Sequence, residues 1–268
     1  MKKIWFFILA FVITISAALY QRATGPTYPK NVKITLNNKE YKFKLPRSCE
    51  GNDSCAIKLV IPDKAVSGFL FFKRYKFDET YTALVLKRVG DTLIAKLPGQ
   101  PPAGKLEYYI EFEVEGGKII LPNNNSIVIR YKGIVPDVVL ALHIFFMFFA
   151  MLWSNYAGLL AIAGKEGYFK AGVVTLLLIF LGGMILGPIV QKFAFDEYWA
   201  GVPYGWDLTD NKTLIAFIAW VWAILFNMKR KNRWYILIAA IITIIIFSIP
   251  HSLYGSELNY ETGIIQQG

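Results

Sequence analysis

The sequence predicts a multi-domain membrane protein of mixed α and β structure: an N-terminal apolar segment, a β-sandwich and a four-helix transmembrane bundle. Three observations carry this. Hydrophobic residues make up 55 % and aromatic residues 16 % of the 268 positions, too apolar for a purely soluble chain. Long apolar runs occupy the beginning and the second half. Between them, short stretches alternate apolar and polar residues and are separated by turn signals.

Residues 1–22, MKKIWFFILAFVITISAALYQR, place Lys2 and Lys3 before about 17 mostly apolar residues, the lower limit for a span. The segment reads either as an uncleaved anchor or as a signal peptide with Ser16-Ala17-Ala18 as a small-residue cleavage site. Under both readings the next part of the chain is exported.

Residues 30–132 contain NVKITL, EYKFKL, AIKLVI, TALVLKRV, TLIAKL, LEYYIEFEV and SIVIRY, separated by NN, GND, PDK, GD, PGQPPAG, EGG and PNNN. Seven or so short strands at this spacing indicate an antiparallel sandwich. The stretch DTLIAKLPGQPPAGKLEYYIEFEVEGG resembles the E–F–G region of immunoglobulin-like or fibronectin type III-like domains, with Tyr108 in the tyrosine-corner position. That sandwich hosts many functions and implies none. Phe69, Phe71, Phe72 and Tyr75 are either core aromatics or an exposed docking edge. Cys49 and Cys55, the two cysteines of the chain, bracket EGNDS. In an oxidising compartment they form a small-loop disulfide. The rival reading is a metal pair, with Glu50 and Asp53 as the acids nearby. The link 131–136 is too short for a flexible linker, so the sandwich is expected close to the membrane face.

Four further apolar runs occur at about 136–157, 171–192, 213–228 and 234–250, within a transmembrane domain spanning 136–252. The connectors around Lys165 and Lys170, and at Lys229, Arg230, Lys231 and Arg233, are basic. The 193–212 loop and the tail 253–268 are acidic. By the positive-inside rule the basic connectors face the cytoplasm, which puts the β domain, the 193–212 loop and the C-terminus outside. Lys2 and Lys3 agree. The net charge of +10 is dispersed beside apolar runs, as topology determinants are, and no nucleic-acid-binding signature is present. The expected partners are the lipid bilayer and a membrane or periplasmic protein, with no nucleic acid.

Both histidines fall in the membrane half. His143 lies in LALHIFFMFFAML, and His251 comes directly after Pro250 at the end of the last run. Ionisable groups at membrane depth are expensive and mark function. Two imidazoles on separate helices at matching depth suit bis-histidine ligation of haem b. His143, Met147 and Met151 share a helix face at i, i+4 and i+8, a soft donor set for Cu(I). The plainer alternatives are a helix-bridging hydrogen bond for each histidine and packing for the methionines. The loop FAFDEYWAGVPYGWDLTDNKTLIAF is the second signal. Thr209 or Asp210 is expected to cap the following helix, and Trp199, Tyr204 and Trp206 fit an interfacial belt. Asp207 is left as the acid that capping explains least. Gly183 and Gly187 form a GxxxG step before Pro188, which permits close helix approach and a kink. Asn52, Asn124 and Asn211 begin glycosylation-type triplets.

Taken together, YQRATGPTYP, FDEYWAGVPYGWDLTDNKTL and IPHSLYGSELNY resemble an uncharacterised family of bacterial inner-membrane proteins that carry an exported immunoglobulin-like domain and a C-terminal helical bundle. The resemblance implies architecture and a bacterial cytoplasmic-membrane location, and it transfers no catalytic residue. The expected function is a non-catalytic accessory or scaffold protein whose exported sandwich and loop dock an extracytoplasmic partner. A b-haem electron carrier through His143 and His251 is the alternative. Cu(I) handling through His143, Met147 and Met151 is the second alternative.

Overall fold

The computed structural model describes residues 2–51, 53–123, 125–251, 253 and 255–267. Asn52 and Asn124, which begin two of the three triplets, and Ser252 and Tyr254 of IPHSLYGSELNY, lie outside the described residues. The chain divides into a helical unit (Met1–Pro26, Val135–Ser256 and Gln267–Gly268) and a β unit (Thr27–Ile134 and Glu257–Gln266).

The helical unit tracks the apolar runs. Among the described residues, four helical stretches are long and apolar enough to cross a membrane: α1 (Lys3–Thr24), α2 (Asp137–Ile162), a continuous stretch Tyr168–Phe195, and α5 (Leu208–Lys229). The third comprises α3 (Tyr168–Ile179), a π-helical turn (Phe180–Leu186) and α4 (Gly187–Phe195). A shorter apolar helix, α6 (Arg233–Ser248), comes last. At 1.5 Å per residue its 16 residues span about 24 Å, against about 33 Å for the 22 of α5. The run expected at 234–250 stops early because Pro250 disfavours the α region for the residue before it, and Ile249 is extended (φ −70°, ψ 127°). Asn232 caps the start of α6, its side chain accepting from the Trp234 amide at 3.0 Å.

Small residues let these helices approach closely, as apolar faces in a bilayer require. A Cβ added at Gly158 of α2 would come within 2.8 Å of Ala240 Cβ on α6. One at Gly172 of α3 would meet Trp220 and Ile236 at 2.9 and 3.0 Å. Trp220 is fully buried and donates its indole N–H to Thr243 Oγ1 at 2.8 Å. Helix α1 is packed into the same unit. Phe7 meets Trp153 and Tyr156 edge-on, and Asn155 Nδ2 donates to Thr14 Oγ1 at 2.9 Å with both residues buried.

The β unit opens with the hairpin β1 (Lys30–Leu36) and β2 (Lys39–Leu45), turned by Asn37 and Asn38 at positive φ. Then come β3 (Ser48–Glu50), β4 (Cys55–Val60), β5 (Ser67–Arg74), β6 (Thr82–Val85), β7 (Lys87–Val89), β8 (Thr92–Leu97), β9 (Lys105–Val114), β10 (Gly117–Leu121) and β11 (Ile127–Lys132). One sheet has the order β3-β11-β9-β5-β6, with β10 also paired to β9; a second has the order β4-β8-β7. Strand β3 runs parallel to β11, and the other pairings are antiparallel. The inward residues of both sheets and of the hairpin form one core that includes Leu45, Leu59, Leu70, Leu93, Ile110 and Tyr131. Cys49 and Cys55 are joined by a disulfide that ties β3 to β4, with Cα atoms 6.1 Å apart.

The tail is structured. Strands β12 (Ser256–Leu258) and β13 (Ile265–Gln267) form a two-stranded sheet. Within the β unit, the Leu258 amide donates to the Ala103 carbonyl at 3.1 Å, and buried Glu257 pairs with Lys105 and Lys76. The Tyr260 hydroxyl lies 2.9 Å from both Gln100 Oε1 and the Lys105 carbonyl.

Candidate functional site

The helical unit concentrates its polar chemistry where the 193–212 loop meets the start of α5 and the end of α6. Asp207 is the N-cap of α5. Its Oδ1 accepts from the Thr209 and Asp210 amides at 2.8 and 3.3 Å, as a preferred cap residue does. Its Oδ2 accepts from the Ser256 amide and hydroxyl at 3.0 and 3.1 Å. This corrects the expectation that Thr209 or Asp210 caps the helix and that Asp207 is the acid least explained by capping. The cap position falls two residues earlier, because Leu208 is already helical.

Asp210 does different work. Its Oδ2 accepts from the Ala200 and Gly201 amides at 2.6 and 3.1 Å and from Gln191 Nε2 at 2.9 Å. Asn211 Oδ1 accepts from the Val202 amide at 2.8 Å. The loop is thereby bound to the first turn of α5. Gly201 permits this approach, since a Cβ there would stand 2.7 Å from Asn211 Oδ1. Trp199 is half-buried and donates its indole N–H to the Val202 carbonyl at 3.1 Å. Tyr204 and Trp206 are 84 % and 71 % exposed, so they build no part of the cluster. In the loop, burial, followed by the charges of Asp207 and Asp196, raises the Glu197 carboxyl.

Lys212, which sequence reasoning left out, is 3 % exposed. Its ammonium donates to the Ile249 and Pro250 carbonyls at 2.9 and 3.3 Å. These carbonyls lie past the end of α6, where helical partners run out, so a cation from α5 satisfies them. Gln21 of α1 reaches the same Ile249 carbonyl at 3.3 Å. A lysine one residue past an Asp-Asn pair in a loop-to-helix stretch carried no separate signal in the sequence. The Pro250 that ends α6 was the clue to bare carbonyls needing a donor.

The histidines approach this cluster from two sides. His251 comes next in the chain after the carbonyls that Lys212 holds and lies within electrostatic reach of Lys212, His143 and Asp207. The residue is exposed. His143 is half-buried on α2, with Nδ1 2.9 Å from the Gly182 carbonyl in the π-helical turn. A carbonyl only accepts, so Nδ1 carries the proton and the lone pair of the neutral ring is on Nε2. The same Gly182 carbonyl accepts the Gly187 amide across the π turn. Such turns often occur at functional sites.

Gly182 and Gly183 are filled from opposite sides. A Cβ on Gly182 would meet Phe146 Cβ and Met147 Sδ at 2.7 and 3.1 Å, and one on Gly183 would meet Thr213 Cγ2 at 2.5 Å. Gly187, the second glycine of the GxxxG step, has only ordinary contacts, with His143 Cε1 at 4.0 Å. Met147 packs over these glycines, and Met151 is buried in the helical core. Among the described residues, no three His, Cys, Asp or Glu side chains group as a metal site.

The β unit contributes a second feature. On the outward face of the longer sheet, Phe69 stands opposite Glu111, Phe71 opposite Tyr109 and Lys73 opposite Glu107. Phe71 stacks on Tyr109 with ring centres 5.0 Å apart, and Tyr81 meets Tyr109 edge-on at 5.1 Å. Exposed Val85 flanks this row opposite Phe69. A groove of about 500 Å³ adjoins it, lined by Tyr81, Tyr109, Ile120 and Pro122 among others. Phe69 and Phe71 are therefore half-buried surface aromatics, not core residues. Phe72 packs against the core, and Tyr75 is half-buried beside Lys76 and Lys105. The Tyr108 hydroxyl donates to the Pro46 carbonyl at 2.9 Å, 62 residues upstream, where a tyrosine corner bonds a few residues upstream.

No protein-family model matches this chain, and no curated protein matches it.

Proposed function

We propose that this chain is an integral membrane accessory protein whose exported β unit docks an extracytoplasmic partner protein. In this reading the β unit is an immunoglobulin-like sandwich, the membrane is the bacterial cytoplasmic membrane, and the β unit and C-terminus lie outside it. The strand order supports the sandwich. Strands β4, β8 and β7 take the B, E and D places, and β5, β6, β9 and β11 take C, C′, F and G in chain order. The disulfide is the departure, since it joins the two sheets through the consecutive strands β3 and β4 instead of through the B and F places, β4 and β9. The positive-inside rule supports the orientation.

The observation that carries the docking role is the aromatic row Phe69–Phe71–Tyr109–Tyr81 beside an open groove. Rigid, half-buried aromatics are what interface hot spots are made of. The test is a photocrosslinking amino acid placed in cells at Tyr109, with Lys44 on β2 as the control position. A discrete adduct at Tyr109, absent at Lys44 and lost when Phe71 is changed to Ser, supports the reading. Equal labelling at both positions, or none, refutes it.

A second reading, b-haem electron transfer, is favoured by the His143 tautomer. A ligating histidine usually donates its other ring N–H to a carbonyl or carboxylate, and His143 does so to Gly182. His143 and His251 would hold the group, which would supply one-electron chemistry when bound. The donor set fits: two imidazoles on separate segments, one with its tautomer fixed and the second within its electrostatic reach. An oxidised and dithionite-reduced spectrum of protein from haem-sufficient cells decides it, because a missing Soret band excludes the group. Copper handling has less support, since Met147 and Met151 are engaged in packing.

A further inference from the structure

The shorter sheet has an outward face of unusual composition. Register places Lys58 of β4 and Lys87 of β7 on either side of Ile94 of β8. Lys96 is two residues along β8 from Ile94, and hence on the same face. Strands lie about 4.8 Å apart and side chains on one face about 6.8 Å apart along a strand, so three ammonium groups surround one apolar side chain within about 10 Å. That is close to the screening length at physiological ionic strength, so their mutual repulsion is only partly screened.

Strands β4, β7 and β8 contain no acid, and none of the three lysines takes part in an ion pair among the described residues. Asp91, in the turn before β8, is paired with Lys64 at 3.2 Å. The next row of the same face is Val60–Thr92–Val89, with the valines 61 % and 63 % exposed. The charges call for an anionic partner. Exposed valines beside them are of no use to a soluble polyanion but fit the boundary between headgroups and acyl chains. The chain is itself membrane-associated through its apolar helices, which makes a lipid surface the polyanion always at hand.

We propose that the outward face of the β4-β8-β7 sheet binds an anionic lipid surface, with Lys58, Lys87 and Lys96 on the headgroups and Val60 and Val89 beneath them. This is separate from the aromatic row, which lies on the other sheet. The test uses full-length protein in nanodiscs of phosphatidylcholine alone and of phosphatidylcholine mixed with phosphatidylglycerol. Amine acetylation is measured by mass spectrometry, with Lys39 and Lys118 as controls.

The expected result is acetylation of Lys58, Lys87 and Lys96 slowed about fivefold in the anionic discs, restored by high salt, with the controls unchanged. A Val60→Cys variant carrying an environment-sensitive dye should shift to the blue in the anionic discs alone. Equal rates in both discs overturn the proposal. So does slowing that extends equally to Lys39 and Lys118, which reports only a general surface potential. Protection by added polyphosphate without protection by lipid overturns it in favour of a soluble polyanion.

Discussion

Replacing Asp207 with alanine removes four acceptor contacts from the helical unit. Two are to amides of the first turn of α5, and capping of this kind contributes about 1 kcal/mol. The other two are to Ser256, which is almost fully buried. Its amide and hydroxyl each lose a hydrogen bond to Oδ2, together about 1–3 kcal/mol. The sum is about 2–4 kcal/mol, or a fall in melting temperature of roughly 6–12 °C for a unit of this size. Asp207→Asn keeps one carbonyl oxygen and so serves either the cap or Ser256; about half that loss is expected. The control is Asp196→Asn. Asp196 pairs with Lys192 on an exposed surface, and its positive φ suits asparagine, so little change is expected. Thermal unfolding in detergent, monitored by tryptophan fluorescence, is the assay, because the seven tryptophans all lie in the helical unit. Asp207→Ala within about 2 °C of the parent would show that the cap and the Ser256 contacts do not stabilise this unit.

Particular contacts set three other outcomes. Gly183→Ala should destabilise the helical unit by about 1–3 kcal/mol, because the new methyl group collides with Thr213, whereas Gly187→Ala should be nearly neutral; unfolding of the pair in one detergent checks this. Asn155→Leu should loosen α1, since it breaks the buried bond to Thr14, and the new exposure is measurable as faster proteolysis after Arg22. The Arg74 guanidinium holds the Glu79 carboxyl below the usual glutamate range, so the unfolded chain binds that proton more tightly. The pair's stabilisation is then complete above the ordinary glutamate value and is lost as pH falls through the lowered one. Glu79→Gln should flatten the acid limb of β-unit stability, measured by hydrogen exchange of the β5 and β9 amides between about pH 6 and pH 3.

How legible each part was in the sequence depended on its length and on how local its cause was. Strands such as KLEYYIEFEV and the apolar runs declared themselves through period and composition, and the small loop between Cys49 and Cys55 made their pairing readable. The tail did not, because β12 and β13 have three residues each, too few for a periodic signal. The cap was misplaced because YGWDLTDN offers three candidate residues within four positions, and which one leaves the helix is settled by the backbone turn before Leu208. GxxxG marked close approach correctly at Gly183 but not at Gly187, where an added Cβ would meet nothing nearer than 3.7 Å. Lys212 was invisible for a related reason. Its role is set by carbonyls 37 and 38 residues away, just past the end of another helix.

Docking of a partner protein on the aromatic row sets the mass of the native particle extracted from its own membrane in mild detergent. The parent chain should run as a complex larger than its own 30.4 kDa plus detergent, while a Phe71→Ser, Tyr109→Ser variant of unchanged melting temperature should run as the chain alone. Identical particles from parent and variant would contradict it.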